Sequence, residues 1–233
     1  MDVEHGKNPL KKKQIWPEPP RETAFPIARP GYGVIGATAF VTAVLAVLGL
    51  RFPALLALAV CGFCVWFFRD PDRMTPTGEG LVVAPADGKV IFCGRDEDSP
   101  YVQGPCRRIS IFMSVFNVHV NRIPCDGVVT AVDYHPGKYF SANLDKAAAE
   151  NEKNAVFIET PEGRRVCVVQ IAGLIARRII CRLQAGDEVR RGRRFGMICF
   201  GSRLDLYLPE NAEVRATVGQ KVKAGTTIVG KLQ

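Results

Sequence analysis

Short apolar runs, each broken off by glycine, proline or aspartate, fill the chain from Leu81 onward and most constrain its fold. Runs of this length between turn-forming residues are typical of β-strands. One helix is predicted among them, over Asn143–Asn154. The pattern therefore predicts a mainly β domain of the α+β class. The predicted strands include Val82-Val83, Lys89–Phe92, Ile109–Phe112, Val128–Val132, Ala155–Ile158 and Val166–Gln170.

Two weak internal repeats lie within this β region. Pro85-Ala-Asp-Gly-Lys-Val90 resembles Pro124-Cys-Asp-Gly-Val-Val129, and Gly186-Asp-Glu-Val-Arg-Arg-Gly192 resembles Gly219-Gln-Lys-Val-Lys-Ala-Gly225. The second motif resembles the turns that lead into strands in biotinyl and lipoyl carrier domains. Residues 70–233 are therefore predicted to form a flattened, hammerhead-like β-sandwich.

The N-terminal part of the chain has a different composition. Residues 1–30 are polar, basic and proline-rich, which predicts a flexible tail. Tyr32–Leu50 carries no charge and is long enough to cross a bilayer, whereas Ala54–Phe68 is shorter. We predict a membrane-associated apolar helical hairpin over 31–69 with both ends cytoplasmic. A full span, a re-entrant or interfacial hairpin, and a pair of buried core helices remain open.

Charge and cysteine use restrict the partners. The net charge of +8 over 233 residues favours an anionic partner. No basic motif interleaved with aromatic residues appears, so a membrane surface is favoured over nucleic acid. The eight cysteines are scattered mostly among apolar neighbours, as expected of free thiols in the cytosol. We therefore expect the cell membrane, with the β domain on its cytoplasmic face.

The pair Gly201-Ser202 lies between two predicted strands. Met197–Phe200 is a short apolar run, and Leu204–Leu208 alternates apolar and other residues as a half-buried strand does. A strained peptide at such a turn can be attacked by the next hydroxyl. Elimination and hydrolysis would then convert the serine into a pyruvoyl group. An ordinary hairpin turn is the alternative, and the dipeptide alone favours that alternative.

Further motifs along the chain favour the chemical interpretation. The chain resembles the short bacterial phosphatidylserine decarboxylase proenzymes, a pyruvoyl-dependent family, and the motifs occur in the family's order over roughly residues 30–230. The matching segments are Phe67-Phe-Arg-Asp-Pro-Asp-Arg73, Ala84-Pro-Ala-Asp-Gly-Lys-Val90, Ile109–Pro124, Asn143–Ala147 with Asn151–Asn154, Gln170-Ile-Ala-Gly173 and Phe200-Gly-Ser202.

This resemblance implies self-cleavage between Gly201 and Ser202. The products would be a large chain, 1–201, and a small chain, 202–233, forming a heterodimer that could assemble further. Ser202 would become the pyruvoyl cofactor and form a Schiff base with phosphatidylserine in the membrane, giving phosphatidylethanolamine. The resemblance implies neither pyridoxal phosphate nor a metal.

The resemblance also suggests which other residues act in the site. His119 is the candidate proton carrier, since an imidazole titrates near neutral pH. Asp87 is the candidate carboxylate that orients it, although an aspartate before glycine is usually a turn residue. Arg122 stands where some family members have a second histidine; it could bind a phosphate or carboxylate, or be structural. Asn143 could shape the headgroup pocket or cap a helix.

Two alternative functions stay open at this stage. Ether lipids with a serine headgroup, of the archaeal type, would present identical reacting atoms to the site. A membrane-anchored carrier or adaptor with a biotinyl-like domain is the non-enzymatic alternative. Such carriers present a modifiable lysine at a hairpin tip, whereas the corresponding turn here is Gly201-Ser202-Arg203.

Overall fold

A computed structural model describes residues 27–138, 140, 150–173, 178–199 and 201–233. Within these ranges the helices are α1 (Gly31–Val47) and α2 (Arg51–Phe67), and the strands are β1 (Leu81–Val83), β2 (Gly88–Asp96), β3 (Cys106–Met113), β4 (Val120–Arg122), β5 (Gly127–His135), β6 (Lys153–Glu159), β7 (Arg165–Ala172), β8 (Ile179–Cys181), β9 (Glu188–Val189), β10 (Arg194–Ile198), β11 (Ser202–Pro209), β12 (Glu213–Val214), β13 (Lys221–Val222) and β14 (Ile228–Lys231).

The two helices pack against each other as a hairpin, as predicted. Gly49 lies at the turn between them with φ of 72°, a backbone conformation that favours glycine. No helix within the described ranges is long and apolar enough to span a membrane. The base of the hairpin is closely packed, because a Cβ added to Gly31 would lie 2.5 Å from the Cβ of Phe68.

The strands form one large sheet and two small ones, which confirms the mainly β prediction. The large sheet has the order β13-β2-β3-β11-β7-β6-β5-β9, and the small sheets have the orders β1-β14-β12 and β4-β10-β8. Neighbouring strands are antiparallel throughout these sheets. The curled large sheet places β11 and β7 at its centre.

The domain contains the same arrangement twice. In the first half Val90 of β2 pairs with Ile111 of β3, and a bulge follows. In the second half Val129 of β5 pairs with Ile158 of β6, and a bulge follows at the same point. The two halves therefore share both the pairing of these strands and the position of the bulge.

The glycine motifs recognised in the sequence hold equivalent positions in the two halves. Gly219 donates its N–H to the carbonyl of Val90 at 2.8 Å, and Gly186 donates to the carbonyl of Val129 at 2.7 Å. The weak sequence repeats thus mark a structural duplication that extends well beyond the repeated residues.

The main core lies on the inner face of the large sheet. Each fully buried aliphatic side chain there contributes about 1.5–3 kcal/mol of hydrophobic free energy relative to exposure. A second cluster lies beneath the hairpin and joins α2 to β4 and β10. Its buried members are Ala28, Phe67, Phe68, Val118, Val120, Met197 and Cys199.

Two details of the sequence-based prediction are wrong. Strand β11 is buried on both faces, because Arg203, Asp205 and Tyr207 are covered as fully as the leucines that alternate with them. The helix predicted over Asn143–Asn154 is wrong at its C-terminal end, because Lys153 begins β6. There, pairing with β5 and β7 outweighs the local helical preference. Residues 143–149 lie outside the described ranges.

Candidate active site

Ser202 begins β11 at the centre of the large sheet. It is fully buried, at 0% exposure, and it pairs with Met113 of β3 and Ala172 of β7. Gly201 precedes it with φ of 72°, in the left-handed region that L-residues with a Cβ rarely adopt. The Gly201–Ser202 peptide bond is therefore held at the point where a central strand begins.

The internal duplication supplies a counterpart for this turn. Leu204 pairs with Ile111 as Val166 pairs with Ile158, so Gly201 corresponds to Gly163. Gly163 has a φ of 77°, but it is exposed. The left-handed glycine thus belongs to the repeated framework, whereas the burial of the residue after Gly201 is particular to this site.

His119 contacts the backbone at this turn. Its side chain is fully buried, and Nε2 accepts a hydrogen bond from the Gly201 N–H at 3.3 Å. Its Nδ1 lies 3.0 Å from the carbonyl oxygen of Asn117. A carbonyl can only accept, so Nδ1 carries the proton and Nε2 presents its lone pair to the turn. The structure thus brings His119 and the predicted cleavage site together.

The surroundings of His119 favour the neutral imidazole. Burial is the largest effect and lowers its pKa to about 4. The Asn117 hydrogen bond and the charge of Asp87 raise the pKa, while the charge of Arg69 lowers it further. At neutral pH the side chain is therefore uncharged, as a proton acceptor must be.

The Ser202 hydroxyl has a separate partner. Its Oγ donates to the Met113 sulfur at 3.3 Å, across the first residue pair of the β11–β3 ladder. His119 meanwhile accepts from the amide of the preceding residue. In the described structure the hydroxyl and the imidazole are therefore bonded to different partners and not to each other.

Asp87 is held by partners other than the predicted one. Both of its oxygens accept from the guanidinium of Arg73, with Nη2 to Oδ2 at 2.8 Å, and Oδ1 also accepts from the Ala224 N–H at 2.8 Å. Among the described residues, its hydrogen bonds do not extend to His119. The predicted orienting contact is replaced by the Asn117 carbonyl, and Asp87 acts on His119 through its charge.

Arg122 is buried and bonded to the backbone of neighbouring segments. It is 4% exposed, and it donates to the carbonyls of Gly192 at 3.0 Å and Pro71 at 2.9 Å. It also meets Asp70 at 3.4 Å. Burial is the main reason why its pKa falls to about 10. Its described contacts fit the structural role, one of the two that were predicted, and contact with a phosphate or carboxylate of the substrate stays a prediction. Asn143, the other predicted substrate-binding residue, lies outside the described ranges.

Two residues next to His119 and Asp87 were not predicted from the sequence. Arg73 forms the bidentate ion pair with Asp87, and Phe67 packs on His119 with ring centroids 4.3 Å apart and planes at 34°. Both belong to the motif Phe67–Arg73, which was matched without a role. The spacing offered no signal, because both contacts depend on how the segment after α2 folds back.

A chain of buried amides was also missed. Asn154 Nδ2 donates to Gln170 Oε1 at 3.1 Å, and Gln170 Nε2 donates to Asn121 Oδ1 at 2.8 Å. These bonds fix the amide orientations, so Asn121 Nδ2 points to the Met113 sulfur at 3.8 Å. The chain therefore ends at the sulfur atom that also accepts from Ser202.

The other half of the domain has apolar residues at the positions where this site has buried amides. By the repeated pairing, Asn121 corresponds to Val82 and Gln170 to Leu208. Those two counterparts are fully buried apolar residues. Polar side chains inside strand patterns were the signal that could have revealed the amides. Across the described ranges, no group of three His, Cys, Asp or Glu side chains is placed to hold a metal.

Comparison with known proteins gives consistent matches. The model of the family described as phosphatidylserine decarboxylase matches residues 60–230. A phosphatidylserine decarboxylase proenzyme of Syntrophus aciditrophicus is 52% identical over 177 residues, covering 76% of this chain and 83% of the relative. Proenzymes of the same name from Oleidesulfovibrio alaskensis and Geotalea uraniireducens are 51% and 49% identical, covering 85% and 91% of this chain and 91% and 99% of theirs. The chain belongs to the phosphatidylserine decarboxylase family.

Proposed function

We propose that this protein is a self-processing enzyme that decarboxylates phosphatidylserine to phosphatidylethanolamine. The observation that carries the proposal is the turn at Gly201 and the buried Ser202, where the neutral Nε2 of His119 accepts from the Gly201 amide. Family membership supports the substrate, and the geometry supports the position of cleavage.

Self-cleavage would begin with the Ser202 hydroxyl. Its oxygen attacks the carbonyl carbon of Gly201, its proton passes to His119, and the Gly201–Ser202 C–N bond breaks as the amine takes up a proton. The product is an ester between the two residues. Gly201 supports the attack because its left-handed φ of 72° places the turn directly before β11, next to the Ser202 hydroxyl.

The second stage separates the two chains. A base removes the Cα proton of residue 202, and the bond between its Cβ and the ester oxygen breaks. Gly201 leaves as a carboxylate. Water adds to the resulting dehydroalanine, ammonia departs, and a pyruvoyl group remains on chain 202–233. Strand β11 stays in place, since it pairs along its length with β3 and along most of it with β7.

The pyruvoyl group supplies a ketone for Schiff-base chemistry with the substrate amine and an electron sink for decarboxylation. The chain's own residues do the rest. Burial of residue 202 excludes water, and His119 provides a neutral proton acceptor beside it. The negative charge of Asp87, which is paired with Arg73, raises the pKa of His119. These residues fit the group because residue 202 is its own source and needs no separate binding site.

We also propose that the hairpin seats the protein on the cytoplasmic face of the cell membrane. Its helices expose large apolar side chains, including Phe40, Val47, Phe52 and Leu56. At its base, Trp66 is 55% exposed, and the guanidinium of Arg69 lies 4.2 Å from its ring centroid. Aromatic and basic side chains together are typical of the interface between lipid and water.

The test replaces Ser202 with Ala in the full chain. We expect one uncleaved polypeptide that releases no carbon dioxide from phosphatidylserine vesicles, whereas the wild type is cleaved and active. Serine-headgroup lipids with ester-linked and ether-linked chains, assayed side by side, identify the lipid class. Turnover of the ether lipid alone would contradict the proposed substrate, and normal cleavage of the Ser202→Ala variant would contradict the proposed site.

A further inference from the structure

We propose that the end of the helical hairpin is part of the active site, with Phe67 as a positioning residue that covers the His119 imidazole and excludes water from it. The inference rests on the proposed role of His119 as the proton acceptor in self-cleavage. It assigns the hairpin a task in catalysis in addition to its proposed contact with the membrane.

Phe67 is the last residue of α2 and is completely buried. Its ring lies over the imidazole of His119, with centroids 4.3 Å apart and planes tilted by 34°. Phe68 packs edge-on against the Phe67 ring, with centroids 5.1 Å apart and planes at 84°. The Phe67 ring is thus fixed between a neighbouring aromatic side chain and the histidine, and water is excluded from that face of the imidazole.

A second contact connects the base of the hairpin to the loop that binds His119. Arg69 donates through Nη1 to the Trp66 carbonyl and through Nη2 to the Phe116 carbonyl, both at 2.7 Å. Phe116 immediately precedes Asn117, whose carbonyl accepts the His119 Nδ1 proton. Arg69, two residues after the end of α2, therefore holds the loop whose Asn117 carbonyl fixes the imidazole tautomer.

Because the Phe67 ring covers the imidazole, it is expected to influence the pKa of His119. A buried imidazole resists protonation because its charged form loses hydration. The charged groups that act on His119 are Arg69, which disfavours its protonation, and Asp87, which favours it. Burial has the larger effect, so exposing the ring to water should return His119 toward the ordinary histidine pKa of about 6.5.

The experiment compares Phe67→Leu with Tyr134→Leu in the full chain. Tyr134 is on β5, outside the hairpin, and is 58% exposed, so it controls for loss of an aromatic ring from the chain. Initial rates of self-cleavage are measured after synthesis in a cell-free system from pH 5 to pH 8. At pH 5.5 we expect Phe67→Leu to be about tenfold slower than wild type, with rates within about twofold at pH 8. Tyr134→Leu should follow the wild type throughout.

A direct titration makes the result independent of cleavage. The histidine ring resonances of the Ser202→Ala protein are followed by NMR with and without Phe67→Leu. We expect the His119 midpoint to rise by about two pH units when the ring is removed. Phe67→Met keeps most of the volume but replaces the rigid ring with a flexible chain, so it should raise the midpoint by a smaller amount. It replaces the leucine variant if that variant folds poorly, and an unchanged midpoint would then contradict the proposal.

The two proposals fail in different ways. If His119→Gln is cleaved normally, the proposed role of His119 is wrong, whatever the titration shows. If His119→Gln blocks cleavage while Phe67→Leu leaves both the titration midpoint and the pH profile unchanged, the cover by Phe67 is the part that is overturned.

Discussion

Asp87 and Asp126 make the same hydrogen bond in the two halves of the domain. Asp87 accepts from the Ala224 N–H at 2.8 Å, and Asp126 accepts from the Arg191 N–H at 2.9 Å, at equivalent turns of the repeated glycine motif. Asp87 is in addition buried and paired with Arg73. The duplication therefore separates what this aspartate does for the fold from what it does at the site.

The matched pair gives the first prediction. Asp87→Asn removes a negative charge that raises the pKa of His119, so it makes the imidazole a weaker proton acceptor. We expect self-cleavage to slow by about three- to tenfold, because Asp87 is the smallest of the four effects on that pKa and one pKa unit is a factor of ten. Asp126→Asn, which alters only the shared turn, should cleave within about twofold of wild type. Equal rates in the two variants, measured by gel densitometry over time, would assign Asp87 a structural role alone.

The second prediction concerns stability and pH. The His119 pKa is about 4 in the folded chain, below the value of about 6.5 expected when unfolded. The unfolded chain therefore binds more protons between these values, and the free energy of unfolding falls as the pH drops from about 6.5 to about 4. The expected loss from this group is about 3 kcal/mol.

Urea unfolding of the Ser202→Ala protein measures this slope, because every molecule is then a single chain. The same experiment with His119→Gln added removes the titrating group. A parallel pH dependence of the two proteins between pH 4 and pH 6.5 would show that His119 is not the buried group described here.

A third prediction concerns the buried ion pair beside the cleavage site. Arg203 donates to Asp205 through Nε at 2.6 Å and Nη2 at 2.9 Å, and Nη2 also donates to Ser110 at 3.0 Å. Arg203→Met leaves an uncompensated buried carboxylate and should cost about 3–5 kcal/mol of stability. Adding Asp205→Leu should recover most of that loss, as thermal unfolding would show. A double variant no more stable than Arg203→Met would contradict this expectation.

The fourth prediction tests the buried amides. Asn121→Val leaves Gln170 without its best acceptor and should cost about 1–3 kcal/mol. Adding Gln170→Leu reproduces the apolar pair Val82 and Leu208 of the other half, so the double variant should be more stable than the sum of the single effects predicts. A strictly additive double-mutant cycle, measured by urea unfolding, would show that the two amides are not coupled.

Local sequence patterns predicted much of the fold because the strands are short and bounded by turn residues. The runs around Val90 and Val129 became paired strands, and the glycine motifs became equivalent turns. The burial of Arg203 and Asp205 could not be predicted, because alternation in one strand does not show what covers its polar face.

The site was predictable only where the reacting residues are close in the chain or belong to a recognised motif. The motifs identified Ser202 and His119 as candidates, and the structure shows that His119 contacts the Gly201 amide. The partner of Asp87 and the cover over His119 could not be predicted. They come from the end of α2 and the segment that follows it, whose packing on the domain depends on tertiary ion pairs such as Arg194 with Asp70.

The intact mass of the freshly purified full-length protein tests the central proposal most directly. We predict two polypeptides, residues 1–201 and residues 202–233, with the shorter one beginning in a keto group that borohydride reduces. A single uncut polypeptide of 233 residues, with Ser202 unmodified, would contradict the proposed self-cleavage and the chemistry built on it.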